Sequence, residues 1–149
     1  MNYQDEEKLK KIAEDTYYEV DMFFQTAYML GRLAQLQAFL LIRWNVIGNS
    51  LLESFLLHFR NLRDFFYPEK PHQYDVLAEH FLVNWNDKRP EMPETFSKLR
   101  DNVNKRVAHI SYKRLEFLNE RDWPTQDMLN DVKKVWDSFY NGLTEDKRK

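Results

Sequence analysis

The sequence predicts an all-α fold: an up-and-down bundle of four main helices with a long connection between the second and third. Three observations carry this. Apolar residues recur at three- and four-residue steps through most of the chain. Glycine and proline are scarce, at 3 and 5 residues in 149, and few breakers favour long helices over many short strands. The chain is 43% hydrophobic and 15% aromatic, enough apolar surface to offset the entropy of ordering one core.

Residues 5–15 mix acidic, basic and a few apolar side chains and read as an exposed helical lead-in. From Val20 to about Ile42, Met22, Phe23, Tyr28, Met29, Leu30, Leu33, Leu36, Phe39 and Leu40 follow the helical period. Gly31 lies inside this run and is expected to permit a close helix contact. "VIGNS" (46–50) interrupts the pattern. Asn49 or Ser50 is expected to cap a new helix, with one continuous kinked helix as the alternative.

"SLLESFLLHFRNLRDFFY" is the clearest helix in the chain. Leu51, Leu52, Phe55, Leu56, Phe59, Leu62 and Phe66 make one apolar stripe, with Glu53, His58, Arg60, Asn61 and Asp64 off its centre. Pro68 and Pro71 end it. Residues 68–93 form the long connection, with a short helix expected from Tyr74 to Phe81 and a loop at "NDKRPEMP". Pro93 and Glu94 suit the first turn of a third helix. Its stripe is Phe96, Leu99, Val103, Val107 and Ile110, and it should run to about Leu115. After a turn at "NERDWPT", Thr125 is expected to cap the last helix. Met128, Leu129, Val132, Val135, Trp136 and Phe139 face inward, and Gly142 marks the stop. The tail "TEDKRK" should fray. No repeat or composition shift divides the chain, so residues 1–149 read as one domain.

Charge and motifs exclude several functions. Lys and Arg number 22 against 24 Asp and Glu, a net charge of −2. A duplex-DNA binder is usually more basic, so any nucleic-acid contact must use a local patch. There is no cysteine, hence no disulfide, thiolate nucleophile or Cys-ligated zinc. The start, "MNYQDEEKLKK", lacks the apolar core of a signal peptide, and "LAQLQAFLLI" is too short to span a bilayer. A cytoplasmic protein without a membrane span is expected. His58, His72, His80 and His109 are scattered and no HExxH occurs, so neither a metal nor another cofactor is expected. GxGxxG, GxxxxGK[ST] and GxSxG are all missing.

The stretch that invites a chemical reading is "VNKRVAHISYKR", Val103 to Arg114. On a regular helix Asn102, Arg106, His109 and Lys113, at steps of 4, 3 and 4, form one polar stripe beside the core stripe. Lys105, Arg106 and Lys113 should disfavour the imidazolium form of His109 and keep the ring neutral near pH 7. A neutral histidine among cations can take a proton from a ribose 2′-hydroxyl while the cations hold the phosphate. The plainer alternative is that His109 packs at a helix boundary and the charges are solvated. On the second helix, Arg60 and Asp64 either form a surface ion pair or Arg60 faces a groove beside the third helix.

"ESFLLHFRNLRDFF" followed some forty residues later by "NKRVAHISYKR" resembles the HEPN superfamily over roughly residues 20–140. The resemblance implies a small helical bundle, commonly a homodimer, that binds nucleotides or RNA and in its ribonuclease members cleaves RNA without metal. Those members carry Arg-x(4–6)-His, with a cleft built from both subunits. Here the pattern stands as Asn104-x4-His109, and Arg60 or Arg106 would have to supply the missing cation. The implied site is His109 as base or acid, Asn104 as orienting group, Arg60 and Arg106 on the phosphate, and Lys105, Lys113 and Arg114 along the RNA. Because arginine is replaced, RNA or nucleotide binding without cleavage stays open beside cleavage. So does a non-catalytic helical dimerisation or protein-interaction domain. Tyr17, Tyr18, Phe23 and Phe24 are the candidate dimer contacts.

Overall fold

A computed structural model describes residues 6–36, 44–108 and 122–148. The fold is an all-α bundle, and no strand occurs among the described residues. The elements are α1 (Glu6–Leu36), α2 (Trp44–Phe66), α3 (Ala78–Phe81), α4 (Trp85–Lys88), α5 (Glu94–Lys98), α6 (Arg100–Val103) and α7 (Thr125–Gly142). A π-helical turn, Asn104–Ala108, continues α6, and a 3-10 turn, Glu145–Lys147, follows α7.

The lead-in and the first predicted helix as far as Leu36 are one element, α1, and the expected continuation through Phe39, Leu40 and Ile42 lies outside the described residues. α1 packs antiparallel on α2, the largest interface in the bundle. Phe23 stacks on Phe55 with ring centroids 4.7 Å apart, and Gly48 lies against Leu33. The close approach expected at Gly31 is therefore at Gly48. A Cβ on Gly31 would meet nothing within 4 Å, whereas one on Gly48 would stand 3.1 Å from Leu33. Nor do Asn49 and Ser50 cap a helix: α2 begins at Trp44 and runs through both. Packing of this turn on α1 overrides its weak helix propensity.

The stripe on α2 is buried as expected, with Phe55, Leu56, Phe59, Leu62 and Phe66 all in the core. Phe96 and Val103 from the third segment join them, with Met128, Val132, Val135 and Phe139 from α7. Leu99 and Trp136 pack on this cluster while partly exposed. Two polar residues also sit inside α2's packed face. His58 is 6% exposed and Arg63 is 2% exposed. His58, expected off the stripe, is covered by Tyr18 edge-on and bonded to Glu19. Phe23, offered as a dimer contact, is fully buried. Phe24 packs partly buried against the core.

α2 ends where Pro68 denies it a further donor. The Phe66 carbonyl it leaves open accepts Trp85 Nε1 at 3.0 Å and Arg89 Nη1 at 3.1 Å. These bonds bind the long connection to the bundle. Trp85 is buried at the start of α4, a helical turn that overlaps the loop expected at "NDKRPEMP". The short helix expected over 74–81 narrows to Ala78–Phe81.

The third predicted helix is not continuous. α5 stops at Leu99, where ψ is −7°. The Phe96 carbonyl accepts a bond from buried Arg63 Nε at 3.2 Å, so the helix ladder gives way to a tertiary bond. α6 then passes into the π turn, and at this junction the Asn104 N–H is shared between the Arg100 and Asp101 carbonyls. Ile110 and Leu115 lie outside the described residues. α7 matches the expected span, but its N-cap is Pro124 and Thr125 is its first residue. α7 ends at Gly142, as expected, and a Cβ there would come 2.6 Å from Leu82.

Candidate functional site

A cleft of about 470 Å³ opens between α2, the 68–77 segment and the start of the π turn. Arg60 and Asp64 come from α2, Glu69, Lys70, His72 and Asp75 from the segment, and Arg100 and Asn104 from α6 and its continuation. Arg100 and Asn104 are one helical turn apart and share a side.

The wall of the cleft is built on Arg63. Burial of a guanidinium is costly unless every donor is met. Its Nε bonds the Phe96 carbonyl, Nη1 bonds Asp64, and Nη2 bonds Glu69 Oε1 at 2.6 Å. Glu69 Oε2 accepts in turn from Arg100 Nη1. One loop carboxylate thus bridges guanidiniums from α2 and α6. Arg60 Nε stands 3.9 Å from Asp64 Oδ2, with both side chains nearly half exposed, a weak surface pair. Three guanidiniums meet two carboxylates, so the cluster carries an excess of one positive charge. Asp75 accepts from the His72 N–H at 2.7 Å.

Asn104 differs from its neighbours. Its Oδ1 is buried and has no hydrogen-bond partner among the described residues. It stands at the change from i→i+4 to i→i+5 winding, and π turns inside helices are often found at functional sites.

Of the residues singled out in the sequence, Arg60 and Asn104 share this cleft. Arg106 does not line it and is placed over Trp123, with the guanidinium carbon 4.4 Å from the ring centre. The polar stripe expected of Asn102, Arg106, His109 and Lys113 assumed regular α-helical winding, whereas Asn104–Ala108 is wound as a π turn. Lys105 pairs with Asp101 at 3.0 Å, one turn back. His109, Lys113 and Arg114 lie outside the described residues.

Sequence reading missed Arg63, Glu69, Arg100 and His72. A signal existed for Arg63: it falls four residues after Phe59 and three before Phe66, on the core stripe, where a charge calls for partners. Glu69 and Arg100 carry no comparable pattern, because only the fold brings them together.

The arrangement can bind oxyanions through guanidinium donors. Among the described residues, no group of three or more His, Asp or Glu could hold a metal ion. Among them, no helix is long and apolar enough to cross a membrane. The chain matches no protein-family model, no curated protein and no solved structure.

Proposed function

We propose that this chain is a cytoplasmic, HEPN-like RNA-binding protein whose cleft holds RNA or nucleotide phosphate on Arg60 and Arg100. The observation that carries the reading is the convergence of Arg60 and Asn104, distant in sequence, on one open cleft beside Arg100. Arginine there suits phosphate because its planar fork donates two parallel bonds. The carboxylates of the cleft temper its potential, so affinity should be modest and salt-sensitive. In a cleaving form, His109 would take the 2′-hydroxyl proton and the product would be a 2′,3′-cyclic phosphate. Arg106, engaged with Trp123, leaves phosphate contact to the other arginines.

The test is incubation of the full chain with a mixed RNA pool in EDTA, reading binding and cleavage together. Arg60→Ala should weaken binding to all sequences and reduce the salt slope by about one. If cleavage occurs, His109→Ala should slow it about 10²–10⁴-fold. Binding without cleavage would make the chain a binding protein whose arginine-to-asparagine change removed the chemistry. No RNA binding at low salt would overturn the reading.

A second reading, a non-catalytic helical dimerisation module, is favoured by the outer side of α1. Tyr28 is 58% exposed and Tyr18 56% exposed, large apolar surface for a helix already packed on its other side. Light scattering at high micromolar concentration tests it. A dimer disrupted by Tyr28→Glu, with RNA binding lost or retained, would separate a shared cleft from a purely structural contact.

A further inference from the structure

We infer that Glu69 is an internal stand-in for a phosphate monoester, occupying an anion seat between Arg63 and Arg100 that the ligand's terminal phosphate takes over. The inference rests on the reading of the cleft as a phosphate-binding site and names the phosphate class.

The seat is built into the fold. Arg63 is held in place by the Phe96 carbonyl and is almost fully buried, and Arg100 comes from a different helix. The two oxygens of one carboxylate bridge them. The carboxylate itself is open to solvent. Glu69 follows Pro68 on the irregular segment after α2, and its side chain is 42% exposed. Arg63 does not line the cleft while Glu69 does, so an outward swing of Glu69 would uncover the buried guanidinium.

Charge selects the ligand. With Glu69 seated, Arg60, Arg63, Arg100 and the cleft's Lys70 face Asp64, Glu69 and Asp75, and one positive charge is left over. A phosphodiester carries a single negative charge and in place of Glu69 leaves the same excess. A monoester carries close to two near pH 7, with three acceptor oxygens, and balances the cluster. The seat therefore favours an RNA end bearing a phosphate, or a nucleoside monophosphate, over an internal phosphodiester. Glu69 acts as its competitor, and removing that competitor should raise affinity.

The experiment uses wild type, Glu69→Gln and Arg100→Ala as full chains, each checked for fold by circular dichroism. Orthophosphate against chloride at equal ionic strength, read as a shift in melting temperature, probes the seat without RNA. Titrations with 5′-phosphorylated RNA, 5′-hydroxyl RNA of the same sequence and a nucleoside 5′-monophosphate identify the source. Orthophosphate should stabilise Glu69→Gln more than wild type and Arg100→Ala least. Wild type should prefer the phosphorylated RNA about tenfold, a difference of about 1.4 kcal/mol. Glu69→Gln should widen that preference and Arg100→Ala should remove it. Stabilisation by orthophosphate without binding of either RNA keeps the seat and overturns the RNA reading. RNA binding indifferent to the terminal phosphate, with no orthophosphate effect in wild type or Glu69→Gln, overturns the seat and leaves the RNA reading standing. If Glu69→Gln does not fold, the wild-type preference for the phosphorylated end decides alone.

Discussion

Glu19 of α1 and His58 of α2 meet across the main helix interface, carboxylate Oε2 to ring Nδ1 at 2.7 Å. The same Oε2 accepts Asn61 Nδ2 at 3.0 Å. Because His58 is buried, truncating its partner leaves a polar nitrogen without a bond. Glu19→Ala should cost about 1–3 kcal/mol in urea unfolding. A double-mutant cycle with His58→Ala should return a coupling of at least about 0.5 kcal/mol. Additive single effects would show that the two groups are neighbours without an interaction.

Phe59 is the pivot of the aromatic core. It meets Phe96 edge-on at 5.3 Å and lies 6.2 Å from Phe23, joining α1, α2 and α5. Phe59→Ala should destabilise by about 3–5 kcal/mol through lost burial and the cavity left behind. A loss under about 1 kcal/mol would mean that the surrounding rings collapse into the space.

Tyr67 gives the fold an alkaline limit. Its hydroxyl donates to the Pro90 carbonyl at 2.7 Å. Burial pushes the phenol up to about 12, against a smaller lowering by Arg89 over its ring. The folded state therefore keeps its proton where the unfolded chain has lost it. This contribution is complete below about pH 10 and is lost as pH rises towards about 12. In chemical unfolding across that window, the stability gap between wild type and Tyr67→Phe should shrink with rising pH. A constant gap would contradict the assignment.

Arg106 and Arg60 should behave differently although both are exposed enough to touch a ligand. Arg106→Ala removes a cation–π contact with Trp123 and should cost about 0.5–2 kcal/mol of stability, with little change in the salt slope of RNA binding. Arg60→Ala should do the reverse, because its pair with Asp64 is weak and it lines the cleft. An equal effect of both on the salt slope would extend the binding surface past the π turn.

Asn104 holds a buried acceptor without a bond among the described residues. Such a group costs free energy that truncation can return. Asn104→Ala should leave stability within about 1 kcal/mol of wild type or raise it, unlike a typical core change. A loss above about 2 kcal/mol in thermal unfolding would point to a bond made by this amide in solution.

The helical class, the core stripe of α2 and the span of α7 were legible in the sequence because each depends on local periodicity. Apolar residues three and four apart share a face whatever else the chain does. Arg60 and Asn104 could be named from their spacing and from a short resemblance, and the cleft does contain both. The π turn could not be seen. Within it Arg106 stands over the Trp123 ring. His58 and Arg63 show the same limit from the other side. Arg63 stands on the core stripe and His58 off its centre, yet both are buried with partners from elsewhere: Glu19 for His58, the Phe96 carbonyl and Glu69 for Arg63. The sequence by itself determined which faces are apolar, since that is a property of nearest turns. The tertiary structure alone decided which charges meet across elements, because ion pairs such as Glu69 with Arg100 join residues that no local period relates.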